Sequence, residues 1–352
     1  PTGIGGAFGA REDMSLHIHV CLLALRTGRP VKMVYNREES FPGHVHRHPA
    51  RMWYRHEADA EGKLVKVEAK IILDGGAYMD TTPAVVANAV YFTVGPYKVD
   101  SVHAHGYGVR TNNPPTGAMR GFGVVHVCFA HETQMDRLAD ALGMDRLELR
   151  KRNALTTGDP LPTTGQIIET SLPTVGVMEQ LEAIPLPPPL NSDDPLRLPG
   201  GTGLTTTPEY VSRGVGYAIS IKNIAFSEAF DDFAEARVVL SPTGVEVYTA
   251  AVEVGQGMVT VIQQIVRTAL GVEQVAVIPA DTSTIGSAGS TSASRQTQMT
   301  GGAVLEAALE VRKLALERGA GDDLTSEGVW LAGELVMSLD DLCAGGPISY
   351  HT

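Results

Sequence analysis

The sequence predicts an α+β fold with two mixed domains joined by a Pro-rich connection. Three observations predict it. Apolar residues at helical spacing and strand-like alternations are interspersed without the strict βαβ order of a doubly wound sheet. The 352 residues suit two domains at roughly 150 residues each. Residues 156–212 change character to Pro, Gly, Ser and Thr, as an inter-domain connection does. The expected division is therefore 1–155, 156–212 and 213–352.

Each element has a local reason. Met14, Ile18, Cys21, Leu22 and Leu25 share one helical face, and Gly28 and Pro30 stop that helix. Val31, Met33 and Tyr35 alternate as a strand, and a second strand runs from Leu64 to Leu73 until Asp74-Gly75-Gly76. A helix is expected over 126–143, with Val127, Met135, Leu138 and Leu142 on its apolar side, then a short one over 146–155. Within the connection, 175–183 allows a short helix. In the second domain, 235–240 and 245–249 flank Ser241-Pro242-Thr243-Gly244, a hairpin signal. Met258, Ile262, Ile265 and Ala269 mark a helix, Val275–Ile278 a strand, and about 302–317 a last helix.

Composition bounds the function. Apolar residues are 43% and charged residues 19%, enough for a buried core and against wholesale disorder. The net charge of −12 argues against nucleic-acid binding, which needs a basic face. No apolar run reaches the roughly 18 residues of a membrane span. Cys21, Cys128 and Cys343 are too few for a disulfide framework or a Cys-ligated iron–sulfur cluster, so a reducing, cytoplasmic compartment is expected. The chain opens Pro-Thr-Gly-Ile-Gly-Gly and stops at Ser349-Tyr350-His351-Thr352, which reads as an internal piece of a longer protein.

Chemistry concentrates in small-residue loops. Gly5-Gly6-Ala7-Phe8-Gly9, Gly255-Gln256-Gly257 and Ser290-Thr291-Ser292-Ala293-Ser294 each precede an expected helix. Such a loop aims backbone N–H groups and the positive helix end at one spot, which suits an oxyanion. A fourth loop is the most distinctive. It runs Thr111-Asn112-Asn113-Pro114-Pro115-Thr116-Gly117-Ala118-Met119-Arg120-Gly121-Phe122-Gly123. Phe122 between glycines is placed as a wall for a flat ligand.

Together the four loops resemble those of the molybdenum hydroxylases, the family of xanthine dehydrogenase and aldehyde oxidase. Gly5 to Glu12 is similar to the family's Gly-Gly-x-Phe-Gly-x-Lys-Glu, with Arg11 for Lys. Ala118 to Gly123 is similar to Ala-Phe-Arg-Gly-Phe-Gly, with Met119 for the first Phe; Glu253 to Gly257 matches Glu-x-Gly-Gln-Gly. Thr291 to Ser294 resembles Thr-Ala-Ala-Ser. The order and spacing agree over nearly the whole chain.

The resemblance implies the molybdopterin-binding part of such an enzyme, closest to bacterial xanthine dehydrogenase. The implied cofactor is molybdenum on molybdopterin, with the cytosine dinucleotide as one allowed form. It places Gly6, Phe8, Gly9 and the backbone of Met119 and Arg120 by the metal, with Phe8 and Arg120 nearest. Gly255, Gln256, Thr291, Ala293 and Ser294 would hold the pterin and its phosphate. Glu12, Asn88 and Phe122 would meet the substrate. Glu12 stands where xanthine-oxidising members carry a purine-binding glutamate, so a purine is the expected substrate; another N-heterocycle or an aldehyde stays open. Asn88 falls where those members carry an arginine, and Asn supplies no charge. Lys222 lies near the family's ring-packing Phe-Thr pair. The matched loop lacks the cysteine of carbon-monoxide dehydrogenases.

The implied reaction is base-assisted hydroxylation of an electron-poor C–H carbon. The family's base is a glutamate in a late Gly-Glu-Pro motif. Gly333-Glu334-Leu335 does not match it, so the base is expected beyond Thr352 and this piece is expected to be inactive alone. Electrons would leave through 2Fe-2S and FAD groups on partner subunits or domains, in a hetero-oligomer. A non-catalytic phosphate- or nucleotide-binding module is the competing class. His44, His46 and His48 alternate but are read as structural or solvated, Glu132 as a buried structural hydrogen-bonding group, Cys128 as core, and Asp231-Asp232 as a solvated strand edge.

Overall fold

The computed structural model describes residues 4–186, 214–224, 232–281, 283–292 and 294–352. Packing divides the chain into two compact units, residues 34–222 and residues 1–33 with 223–352. Helix α1 (His17–Thr27) belongs to the second of these and ends at Gly28 in a left-handed conformation, as the glycine signal predicts. Its apolar residues Ile18, Leu22 and Leu25 are exposed. The strand expected from the Val31–Tyr35 alternation does not form; alternation needs a neighbouring strand to supply ladder hydrogen bonds.

In residues 34–222, α2 (Arg37–Gly43) starts at an Asn36 capping box with Glu39. A three-stranded sheet follows. β1 (Ala50–Ala58) runs antiparallel to central β2 (Leu64–Gly76), and β3 (Ser101–Arg110) runs parallel to β2. Leu64, Val67, Ala69, Ile71 and Leu73 of β2 are buried, giving the sheet its packed face. α3 (Thr82–Tyr91) covers β2 and β3, and α4 (Val124–Leu142) packs on β1. Val85, Ala89, Val124 and Val127 close the core with Ile71 and Leu73.

α5 (Arg146–Asn153) is capped by Asp145, and its Arg150 is buried against Glu132 of α4. The first stretch of the expected connection is packed rather than free: Leu161, Thr174 and Met178 are buried around α6 (Thr174–Glu182). Its later prolines lie outside the described residues.

In the other unit, the hairpin of β4 (Ala236–Ser241) and β5 (Gly244–Thr249) forms where the turn chemistry predicts. α7 (Met258–Leu270) then crosses over to β6 (Val275–Ile278), which pairs parallel with β5. α8 (Arg295–Gly319) begins seven residues before the expected 302, and packs on α7 and β4. After α8, β7 (Asp323–Leu324), β8 (Gly328–Leu331) and β9 (Glu334–Ser338) make a small antiparallel sheet. A turn, α9 (Leu339–Leu342), leads to β10 (Ile348–His351), which completes the order β10-β4-β5-β6. The core joins Val238, Leu240, Val247, Ile262, Val266, Val304 and Val311. No described helix is long and apolar enough to cross a membrane.

Candidate cofactor and substrate site

The unit holding residues 1–33 and 223–352 carries three of the four loops. Two of them touch backbone to backbone. A Cβ placed on Gly255 would lie 2.5 Å from both the Gly6 nitrogen and the Ile4 carbonyl oxygen. Only glycine permits that approach. Phe8 sits at φ +53 with its ring exposed, and the Gly6 position has its Cβ direction filled by that ring. The Gly5–Gly9 loop does not open α1 directly, because turns occupy the residues up to His17.

The Gly255-Gln256-Gly257 turn does open α7, but its N–H groups are taken. The Glu253 carboxylate accepts from Gly255 (2.8 Å), Gly257 (3.1 Å) and Val259 (3.1 Å). Burial would raise this carboxyl, and the N–H donors outweigh burial and hold it below the usual carboxylate range. The expectation of an open anion seat here is thus corrected: the loop carries its own anion. Gln256 is bound back onto the loop, accepting from Val254 N–H (2.6 Å) and donating to the Val252 carbonyl (2.9 Å).

The third loop does lead into a helix, but the Ser292 and Arg295 N–H groups donate to the carbonyls of Ser290 (2.9 Å) and Ser292 (3.0 Å). Ser294 precedes α8 without a side-chain cap, and the first turn carries no acid. Sequence reasoning missed the groups that hold it. Arg295 and Gln296 are both 1% exposed. Arg295 donates to the carbonyls of Ala288 (2.8 Å) and Ser290 (3.0 Å) and pairs with Asp232. Asp232 is therefore an anchor and not a solvated strand edge; Asp231 lies outside the described residues. Gln296 also donates to Ser290 (3.0 Å). Thr291 Oγ1 accepts from Val252 N–H (3.4 Å), tying this loop to the segment before Glu253. Ala293 lies outside the described residues. Glu12 is exposed, and its N–H donates to the Gly9 carbonyl (3.4 Å).

Residues 34–222 carry the fourth loop. Its first half rides on the end of β2, where Asp74 accepts from Thr111 (2.6 Å) and Asn113 (2.5 Å), and Thr116 donates to the Asp74 carbonyl (2.7 Å). Its second half lies on α3. A Cβ on Gly123 would meet the Val85 carbonyl at 2.3 Å and the Ala89 nitrogen at 3.1 Å. Arg47 donates to the Arg120 carbonyl (2.7 Å), while its Nη1 is buried with no partner among the described residues. Met119 is half-buried and accepts from Phe122 N–H (2.8 Å).

Phe122 takes φ +45 and packs partly against the Val85, Ala89 and Val124 cluster. One side of the ring is thus a core contact, which the sequence reading of a free wall did not foresee. Asn88 is buried on α3; its Nδ2 donates to the Ala84 carbonyl (3.1 Å), and its Oδ1 accepts from Lys222 Nζ (3.4 Å).

The histidines do not converge. His48 is buried against Thr82 (2.9 Å) and burial lowers it to about 4; His46 meets the carbonyls of Ser40 and Phe41, and His44 that of Val45. Among the described residues no group of three or more His, Cys, Asp or Glu could hold a metal ion. Glu132 is the buried structural group the sequence suggests, accepting from Tyr97 (2.6 Å) and Arg150 (2.7 Å).

Comparison with known proteins decides the family. The model for molybdopterin cofactor-binding domains matches residues 1–154, and a second such model matches residues 204–346. The chain belongs to the molybdopterin-binding part of the molybdenum hydroxylases. It is 35% identical over 299 residues to a probable xanthine dehydrogenase subunit of Bacillus subtilis, covering 84% of this chain and 38% of that protein. It is 44% identical over 178 residues to the nicotinate dehydrogenase large molybdopterin subunit of Eubacterium barkeri, covering 51% and 41%. The aldehyde oxidoreductase structure from Desulfovibrio gigas matches at TM-score 0.71 and 25% identity, over 99% of this chain and 36% of that one. The chain thus spans about two fifths of the length of these two curated relatives. The α+β architecture with two molybdopterin-binding domains agrees with the sequence expectation.

The residues present fit a pterin carrying phosphate. Each unit by itself keeps groups that suit it: in the one, α8 starts without a side-chain cap and the Gly6 and Gly255 backbones meet directly; in the other, Arg47 Nη1 is buried with no partner among the described residues.

Proposed function

We propose that the complete protein hydroxylates an electron-poor ring carbon of a planar N-heterocycle, with a purine such as xanthine as the candidate that Glu12 carries. One observation supports the ring. Phe122 takes a left-handed backbone between glycines, the second of them flush against α3, and packs partly against the core. That is a preorganised stacking wall. The names of two relatives, a xanthine and a nicotinate dehydrogenase, both carry N-heterocycles.

In this reading, the α8 start with Thr291 and Ser294 would hold the pterin phosphate, and by the family resemblance Gly6, Phe8, Gly9, Met119, Arg120, Gly255 and Gln256 would hold the rest of the cofactor. Bound molybdopterin supplies the metal centre that oxidises the substrate carbon. The chain's own part is to bind and orient: Arg47 fixes the Arg120 carbonyl, Arg295 fixes the Ser290 loop, and Glu12, Asn88 and Phe122 address the ring. The reading includes iron–sulfur and FAD groups on partner subunits or domains, a cytoplasmic hetero-oligomer, and a cofactor that is either molybdopterin itself or its cytosine dinucleotide.

The test is a substrate panel on the full-length protein co-expressed with its partners, spanning xanthine, hypoxanthine, pyridine carboxylates and simple aldehydes. Oxygen added to a ring carbon, seen by mass spectrometry, supports the reading. Oxidation of aldehydes alone overturns it.

A further inference from the structure

Strand β3 alternates along its length. Val102, Ala104 and Gly106 are half-buried, while His103, His105 and Tyr107 lie on the exposed face of the sheet. His103 and His105, two residues apart, bring their rings to 4.8 Å between centroids at an angle of 77°. Their Nε2 atoms stand 3.0 Å apart. One of these nitrogens donates a proton to the other, so a lone pair points into the gap.

The gap has the dimensions of a metal seat. Imidazole nitrogens bind first-row divalent ions at roughly 2.0–2.1 Å. Two nitrogens 3.0 Å apart then subtend about 90–100° at the ion. That is the angle between neighbouring ligands of tetragonal copper(II) or nickel(II), whereas tetrahedral zinc needs the pair opened to about 3.3 Å. Copper(II) also binds nitrogen ligands most tightly among these ions.

The neighbouring strand sets the field. Glu68 of β2 stands opposite His103, and Lys70 stands opposite His105. Glu68 is paired with Lys66 (2.7 Å) and Arg55 (3.8 Å), so it offers negative field rather than a metal bond. Lys70 Nζ lies over the Tyr107 ring, 5.7 Å from its centroid. These cations oppose a metal ion, and the two imidazole bonds must outweigh them. Two protein ligands leave the other positions of the ion to water.

We infer that His103 and His105 form a binding site for a divalent transition-metal ion, copper(II) before the others, on the exposed face of the β1-β2-β3 sheet. The site uses no residue of the four loops and stands independently of the substrate reading.

The experiment adds copper(II) alone, in a buffer that does not coordinate it, to the full-length, untagged protein loaded with its cofactor. Calorimetry reads stoichiometry and affinity, and pulsed electron paramagnetic resonance counts the imidazole nitrogens on the copper. The wild type is expected to show a site with two imidazoles. His103→Gln and His105→Gln are each expected to weaken that site by at least about tenfold to a hundredfold, the loss that even the outer partners of metal ligands cause. Any copper left on the pair should then show one imidazole. His19→Gln, an exposed histidine on α1, is the control and should leave the two-imidazole site unchanged. Both ligands are exposed, so without copper the variants should melt with the wild type, and added copper should raise the melting temperature of the wild type above theirs.

A copper spectrum and affinity that are the same in the wild type and both variants overturn the inference. A wild type that binds copper through a single imidazole also overturns it, as does one that binds none.

Discussion

Replacing Gly255 with Ala tests whether the Ile4–Gly6 segment truly rests on the turn before α7. The new methyl would stand 2.5 Å from two backbone atoms, the Gly6 nitrogen and the Ile4 oxygen, and neither can rotate away. Gly255 also sits at φ +91, where a side chain costs about 1–2 kcal/mol. Forcing the two backbones apart adds about 1–3 kcal/mol. Gly257 supplies the control. It sits at φ +83, yet its Cβ direction meets nothing within 4 Å. Gly257→Ala should therefore cost only the conformational part.

The two variants should differ by about 1–3 kcal/mol, several degrees of melting temperature for a protein of this size. Thermal melts read the stability, and elemental mass spectrometry reads molybdenum per chain in the full-length protein. Gly255→Ala should lose more of both. Equal losses in the two variants would refute the contact between the loops as the cause.

Three further outcomes follow from the same geometry. Glu253→Ala strips the carboxylate from the α7 start, so the variant should gain more melting temperature with added sulfate than the wild type does; an equal sulfate response would contradict the internal-anion account. Arg150→Leu leaves Glu132, already pushed up by burial, without its cation, and should cost about 3–5 kcal/mol by urea denaturation, partly recovered by pairing it with Glu132→Leu. Burial lowers His131 to about 3 and His56 to about 4. A lowered histidine contributes stability that is complete above the ordinary 6.5 and is lost as pH falls toward the folded value. Melting temperature should thus drop between pH 6.5 and 4, and His131→Gln should flatten that slope.

What the sequence showed and hid follows physical lines. Hairpins and helix ends set by local chemistry were legible, as at Ser241–Gly244, Gly28 and Gly143, because glycine and proline act within a few residues. The start of α8 was not, because polar Arg295 and Gln296 are helical and buried through partners far along the chain, Asp232 among them. The four loops were legible as a set of motifs. Their state was not: no pattern announces that Glu253 folds back onto its own N–H groups, or that a buried Asn88 points its oxygen at Lys222. Both depend on side-chain directions that packing decides.

The central claim is that these loops hold molybdopterin, and molybdenum content tests it most directly. The full-length protein, co-expressed with its neighbours in cells shown to make the cofactor, should carry close to one molybdenum per chain. Under the same conditions Gly255→Ala should carry clearly less. A wild-type protein that is folded and free of molybdenum would contradict the account and leave the loops as turns capped by their own side chains.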